Sequence, residues 1–425
     1  MHARFSFKLS SVFLISFIAG APLSRAEAPI TYKAVTDPAL KADLSRISEV
    51  MRSRGFNTDP ATGLTFFTGY SYHAIYDWDP YFEGIVELSL GWTPKYMENG
   101  VKIFLNLQNK EGFIRRVQDN RGNEGEEMFK PFLAQTSVLI ARRTGSLDWL
   151  TDNDYQRMRL YLIYWLETLR KGNTGLSYWR SAPHTGMDTQ TERAGVWKSD
   201  FCDGVDLNSY LYRECLAFAL IADAKGHADD AVLFRKEADK KKEAIQKYCW
   251  NEKDGFFYDF DNRTGKQIKV KSVAGFAPMW AQIATPSQAK RMVNEHLLNP
   301  NEFWRKFPVA ALAATERGYS ENLMPGDVGC NWRANTWIPA NYYIFSALRH
   351  YGYHDLAAKL ANLTFDKVKT LGDREYYTSD SDKGCGLNPF WGWSLLAYLM
   401  PWELQHHIDP TELKLKKPLP AAFQQ

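Results

Sequence analysis

The chain has 425 residues, with 52 basic and 49 acidic side chains and a formal charge of +3. Arg4 and Lys8 precede the apolar run VFLISFIAGA, and Ser24-Arg25-Ala26 has the small residues a signal peptidase accepts, so residues 1–26 are expected to be a cleaved secretory signal. That run is too short to span a bilayer, and removing Arg4, Lys8 and Arg25 leaves 49 charges of each sign. The mature chain therefore has no electrostatic case for nucleic acid or an anionic membrane, and a periplasmic or secreted location is expected.

Residues 27–425 hold no Pro-, Gly- or Ser-rich linker and are expected to form a single domain. In chain order, the apolar segments YFEGIVELSL, FLAQTSVLIA, YLYRECLAFALIA and NYYIFSAL each stop at a glycine: Gly91, Gly145, Gly226 and Gly352. Glycine past the last helical turn takes the left-handed conformation, and a short connection sends the next helix back antiparallel. The helix after each glycine is more polar, with charges at helical spacing, as in AVLFRKEADKKKEAIQKYCW. Helices apolar all round are buried and amphipathic ones cover them. The predicted fold is thus all-α, an α/α toroid of two concentric layers with long loops on one end. GFFYDFDNRTGKQIKV (255–270) breaks the pattern and is predicted to be a small β-hairpin turning at Asp261–Gly265.

Five cysteines, odd in number and widely spaced, argue against a disulfide framework and show no close metal-ligand spacing. No metal or cofactor is expected. Cys215 and Cys249 fall on helical stretches and read as small buried hydrophobes; Cys330 and Cys385 both precede aromatic helices, and a bridge between them is one option. The turn DFDNRTG has the outline of a calcium loop, but Arg263 stands at its fifth position and no acid at its twelfth, which excludes an EF-hand.

Long polar loops studded with aromatics lead into the inner helices: TGYSYHAIYDWDPYFEG (68–84), the stretch 178–208, and LGDREYYTSDSDKG (371–384). In a toroid they share one end, since each precedes an inner helix running the same way. Tryptophans in such loops suit the apolar faces of sugar rings or simply pack. Asp79 is either a charge favourable to a helix N-terminus or a binding group, and Asp206 is expected to be an N-cap. Asp188 lies far from the next helical run, in a segment with little to bury, and Glu375 has no basic partner four residues on.

YDWDPYFEG, FLNLQNKEGFI, GMD, DLNSYLYRE with GFFYDFD, NWRANTWIPANYYIFSALRHYG, and REYYTSDSDKGCG with FWGWSLLAYL occur in this order from about Tyr76 to Trp402. The series resembles the glycoside hydrolases of the GH63 and trehalase clan, nearest to single-domain bacterial members of the mannosylglycerate-hydrolase type. The resemblance implies an (α/α)6 barrel, with Asp188 as general acid and Glu375 as general base of an inverting hydrolase. Such a pair stands roughly 6.5–9.5 Å apart to admit a water. It also implies a sugar cradle: Tyr76, Trp78 and Asp79 of the W-D element, Gln108 before the G-F-I loop, Trp332, Arg333 and Trp337 of W-R-x-x-x-W, and Trp391 or Trp393 stacking on the ring. Tyr376 and Tyr377 either position the base or pack. His184-Thr185-Gly186 stands where relatives have Glu-Ser-Gly, and Thr189 where an acid or amide commonly follows the acid. The trehalase signature Gln-Trp-Asp is replaced by GDVGCNWRANTWIP, which disfavours trehalose against other α-glucosides or α-mannosides.

The expected activity is that of an exported inverting α-glycosidase on a short α-linked sugar. Two readings stand beside it. One is an epimerase or lyase on the same toroid, with His73 or His184 as base. The other is a carbohydrate-binding protein without catalysis.

Overall fold

The four glycines that end the apolar segments do adopt the left-handed conformation, with φ of 77° at Gly91, 75° at Gly145, 81° at Gly226 and 79° at Gly352. A computed structural model describes residues 38–70, 74–119, 127–325, 327, 330–415 and 419–420. The expected signal, residues 1–26, and His73 lie outside the described residues. The helices are α1 (Pro38–Arg54), α2 (Asp79–Ser89), α3 (Lys95–Asn106), α4 (Leu133–Thr144), α5 (Asp152–Ile163), α6 (Ala182–Thr185), α7 (Thr191–Ala194), α8 (Val205–Ala224), α9 (Ala228–Ala244), α10 (Ala277–Trp280), α11 (Pro286–Arg291), α12 (Ile338–His350), α13 (His354–Leu371) and α14 (Leu396–His406).

Helices α2, α4, α8 and α12 are buried on nearly every side. Their followers α3, α5, α9 and α13 bury one face; in α9 it is the stripe Ala231, Phe234, Ala238, Lys241 and Ala244. The buried helices pack in sequence, α2 on α4, α4 on α8, α8 on α10, α10 on α12, α12 on α14, and α14 back on α2. The long loops all lead into the N-termini of these helices, so they gather on one end.

Short strands among the described residues modify the all-α expectation. They pin loops to one another rather than form a layer. Asp259–Asp261 pairs with Lys266–Ile268 in the predicted hairpin, with Asp261 opposite Lys266, and pairs Cys202–Asp203 on its other edge. Glu375 is followed directly by a strand: Tyr376–Thr378 lies between Asn335–Thr336 and Gly384–Cys385, which sets the W-R-x-x-x-W loop beside the glutamate's segment.

Three expectations need correction. The N-cap of α8 is Gly204, not Asp206; Asp206 is buried in the first turn, where Oδ1 accepts from Trp179 Nε1 at 2.8 Å and Oδ2 faces Arg193 Nη2 at 3.1 Å. The reason is Arg193, a core guanidinium that needs counter-charges and also holds Asp259 at 2.7 and 3.0 Å. The segment around Asp188 is not poor in buried residues, since Met187, Thr189, Gln190 and Arg193 are all buried. Nor are Cys330 and Cys385 bridged: both are free thiols, and Cys330 Sγ turns toward Glu375 instead. No helix among the described residues is long and apolar enough to cross a membrane.

The starts of α2 and α14 meet where Gly69 and Gly392 come together beneath Glu83. Gly69 N–H donates to Glu83 Oε1 at 2.8 Å, and Trp391 N–H donates to the Gly69 carbonyl at 3.0 Å. A Cβ on Gly69 would stand 2.4 Å from Gly392 Cα and 2.2 Å from Glu83 Oε1, whereas one on Gly226 would meet nothing within 4 Å. Gly69→Ala should therefore destabilise by about 3 kcal/mol and Gly226→Ala by about 1 kcal/mol, read by urea unfolding. Equal costs would mean that the close approach at Gly69 does not limit packing.

Candidate active site

Four loops that precede inner helices converge through side chains that reach across to main-chain groups. Trp391 Nε1 donates to the Thr68 carbonyl at 3.1 Å, linking the loop before α14 to the one before α2. The loop carrying Asp188 joins the one before α12: Trp332 N–H donates to Thr189 Oγ1 at 2.9 Å, and Gln190 Nε2 donates to the Trp332 carbonyl at 2.7 Å. Thr189 thus has a structural use, since its hydroxyl oxygen satisfies a buried amide. Trp393 Nε1 donates to the Glu375 carbonyl at 3.0 Å.

Asp188 follows Gly186, which caps α6 in the left-handed region with φ 81°. A Cβ there would also lie 3.0 Å from Trp78 Cζ2 and 3.1 Å from Lys130 Cε, so only glycine lets the acid loop sit this close to the W-D element. Asp188 keeps part of its surface open, but its Oδ1 is buried and has no hydrogen-bond partner among the described residues. Burial raises its pKa to about 7, against the lowering effects of Arg116, Lys130 and the Cys330 main-chain N–H, with Glu127 adding to the rise. A carboxyl of this kind holds its proton near neutrality and can give it up to a partner.

Glu375 is buried and tightly held. Cys330 Sγ lies 3.0 Å from Oε1, and Leu387 N–H donates to Oε2 at 2.9 Å. Cys330 contacts Glu375 through its thiol, and its own pKa is pushed well up by burial and then by the nearby carboxyls of Glu375, Asp188 and Asp79.

Asp79 opens α2 but caps nothing; it is buried, accepts from Tyr70 Oη at 2.9 Å, and is raised to about 7 by burial and then by Asp77. Trp78 packs against Trp332 at 5.7 Å and Trp393 at 6.4 Å. Tyr76 meets Tyr70 edge to face at 5.6 Å. Trp391 is buried with its indole nitrogen engaged as above. Trp337 is stacked on both faces, on Trp332 at 3.9 Å and on Tyr376 at 4.6 Å, so neither face is open to a ring. Arg333 is committed to Asp327 at 2.8 Å and Glu192 at 3.3 Å. Gln108 is not brought to this cluster: its amide donates to the carbonyls of Arg157 at 2.7 Å and Gly112 at 3.3 Å, bracing a turn against α5. Tyr377 packs, its hydroxyl donating to the Gly372 carbonyl at 2.8 Å. Among the described residues no group of three or more His, Cys, Asp or Glu side chains is arranged to hold a metal ion.

The sequence profile of the mannosylglycerate hydrolase MGH1-like glycoside hydrolase domain matches residues 72–394, which span all of these loops. The chain belongs to this family. A cytosolic neutral trehalase of Kluyveromyces lactis is 29% identical over 167 residues, 37% of this chain and 21% of the trehalase. A probable trehalase of Eremothecium gossypii is likewise 29% identical, over 43% of this chain and 25% of that protein. The matched segment thus spans a quarter or less of these curated relatives. Among solved structures, a GH63 mannosylglycerate hydrolase from Thermus thermophilus in complex with glucose superposes with a TM-score of 0.63 at 20% identity, covering 83% of this chain and 98% of that one. The neutral trehalase of Saccharomyces cerevisiae gives 0.61 at 19% identity, over 86% and 82%. At these identities the structures speak for the fold.

Several residues of this site went unread in the sequence. Lys130 is fully buried, donates to Asp77 Oδ2 at 2.7 Å and lies 5.2 Å from the Trp78 ring centroid. Arg116 pairs with Glu127 at 3.0 Å, which in turn accepts from Ser181 Oγ at 2.8 Å. Burial opposes the Arg116 charge, but Asp77, Glu127 and Asp188 outweigh it and hold the guanidinium ionised. A single lysine inside the apolar run MFKPFLAQT was the available signal for Lys130; nothing in the local pattern marked Arg116 or Cys330.

His184, at the position of the relatives' glutamate, is buried between main-chain groups. Nε2 lies 2.9 Å from the Met128 carbonyl and Nδ1 accepts from Arg180 N–H at 3.2 Å, so the neutral Nε2–H tautomer satisfies both. Burial, followed by Lys130, pushes its pKa well below the usual histidine range. Histidine 15N–1H spectra should show His184 as a neutral Nε2–H tautomer down to pH 5. Titration near pH 6.5 would contradict this environment.

Proposed function

We propose that the enzyme is an exported inverting α-glycosidase of six-hairpin toroid fold, with Asp188 protonating the leaving oxygen and Glu375 activating the attacking water. The single observation that carries the reading is the bonding of one segment, Cys330–Trp332, to Glu375 on one side and to Thr189 and Gln190, next to Asp188, on the other. The surroundings of the two carboxyls suit different tasks. Asp188 is desolvated, raised to about 7 and has an unpartnered oxygen; Glu375 accepts one hydrogen bond on each oxygen, which fixes its orientation. Asp79 and Trp78 would grip the sugar in the cleavage subsite over the floor formed by Trp332 and Trp393. Gln108 and Trp337 serve as scaffold, and Arg333 orders the rim through Asp327 and Glu192. The substrate is a short α-linked glucoside or mannoside; trehalose is less favoured because the Gln-Trp-Asp signature is absent. An epimerase or lyase using His184 is disfavoured because both ring nitrogens are engaged with main chain.

Hydrolysis should require Asp188 protonated, so turnover should fall as pH rises through about 7. Asp188→Asn and Glu375→Gln should each lower kcat by about 10²–10⁴-fold on the best member of a panel of aryl α-glucoside, aryl α-mannoside, kojibiose, nigerose, trehalose and glycosyl-glycerate. Proton NMR of the first product should show the inverted anomer. Parent-level activity in both variants would overturn the assignment, an early retained anomer would remove the water-activating role of Glu375, and no turnover across the panel would favour a binding protein.

A further inference from the structure

We infer that Cys330 is a positioning residue for the general base, its thiol proton fixing Glu375 Oε1 while the Trp332 amide beside it is held by Thr189, next to Asp188. The inference rests on the roles proposed above for those two carboxyls and adds the group that holds them in register.

Glu375 has a donor on each oxygen: the Cys330 thiol at 3.0 Å from Oε1 and the Leu387 amide at 2.9 Å from Oε2. Gly386 packs so closely on the carboxylate that a Cβ there would stand 2.4 Å from Oε2, so residue 386 must be glycine for Glu375 to take this position. With Oε2 held by main chain, rotation about the last side-chain bond is controlled by what binds Oε1, and that is Cys330. A thiol is a weak donor, but a charged acceptor strengthens the bond. The thiol stays protonated because burial and then the neighbouring carboxylates oppose its ionisation. The segment bearing it is itself fixed, through Asn331 Oδ1, which accepts from Arg333 N–H at 3.0 Å, and through Trp332 on Thr189. Titratable groups near Glu375 are Cys330 from the loop before α12, with Asp188 and Asp79 near that thiol in turn, and Tyr376 on its own segment, which pairs with Cys385 on the neighbouring strand.

A base that has lost one donor is worse placed, while the bond of this segment to Thr189 remains. Cys330→Ala should therefore lower kcat about tenfold and leave KM nearly unchanged. Cys330→Ser, which keeps a donor, should restore most of kcat. The test is kcat and KM of the full chain for parent, both Cys330 variants, Asp188→Asn and Glu375→Gln, with thermal unfolding recorded for each. If the two carboxyl variants are inactive and Cys330→Ala matches the parent, the positioning role fails alone. If the carboxyl variants hydrolyse like the parent, the underlying assignment fails and the inference with it. Equal loss in the alanine and serine variants with a lowered Tm would mean that the cysteine is only a packing residue.

Discussion

The site depends on one short stretch of main chain, Cys330–Trp332, being bonded to both carboxyl-bearing loops. Trp332 is fastened to Thr189 and Gln190, which follow Asp188, and the next residues pair as a strand with Tyr377–Thr378, just beyond Glu375. Asp188 and Glu375 are 187 positions apart in the chain, so no local preference could bring them together. Loops of this length lose much conformational entropy when ordered. Buried aromatics offset it: Trp78, Trp332, Trp337, Tyr376 and Trp393 form one contiguous cluster drawn from the loops before α2, α12 and α14. The tryptophans singled out as sugar platforms thus first of all hold the loops that carry the chemistry.

Buried charge is the second constraint. Desolvation by itself would raise Asp188 far from the ordinary carboxylate range, and Arg116 and Lys130 bring it back to about 7. Those two cations are costly inside a protein and are retained with their own anions, Asp77 and Glu127. His184 stays neutral beside this charge cluster, since burial and then the field of Lys130 push its pKa well below the usual histidine range. The altered residues before and after Asp188 therefore form a coherent local solution, with a neutral imidazole on one side and a hydroxyl serving the Trp332 amide on the other.

Much of the architecture was legible because it rests on short-range rules. Glycine stops after apolar runs marked four helix pairs, and the Asp261–Gly265 turn marked the hairpin. The ordered blocks pointed to the loops that the structure gathers on one end. What escaped depended on contacts between distant segments. Asp206 looked like a cap because an acid at the start of a helical run is a local signal, whereas Arg193 and the Trp179 indole decide its place. Gln108 was drawn into the site by its position before the G-F-I loop, but its amide is spent on the Arg157 carbonyl. Cys330 resembled a disulfide partner by its position ahead of an aromatic helix; its actual neighbour, Glu375, lies on a segment whose pairing no local spacing reveals.

The central claim is geometric: two carboxyls facing each other across space for one sugar bond and one water. A crystal structure of the Glu375→Gln variant soaked with the best substrate of the linkage panel tests it most directly. The account predicts the Asp188 carboxyl on the glycosidic oxygen, the residue 375 amide on a water at the opposite face of the anomeric carbon, and the two groups roughly 6.5–9.5 Å apart. A sugar bound away from both side chains, or the two groups roughly 5 Å apart with residue 375 against the anomeric carbon itself, would contradict it.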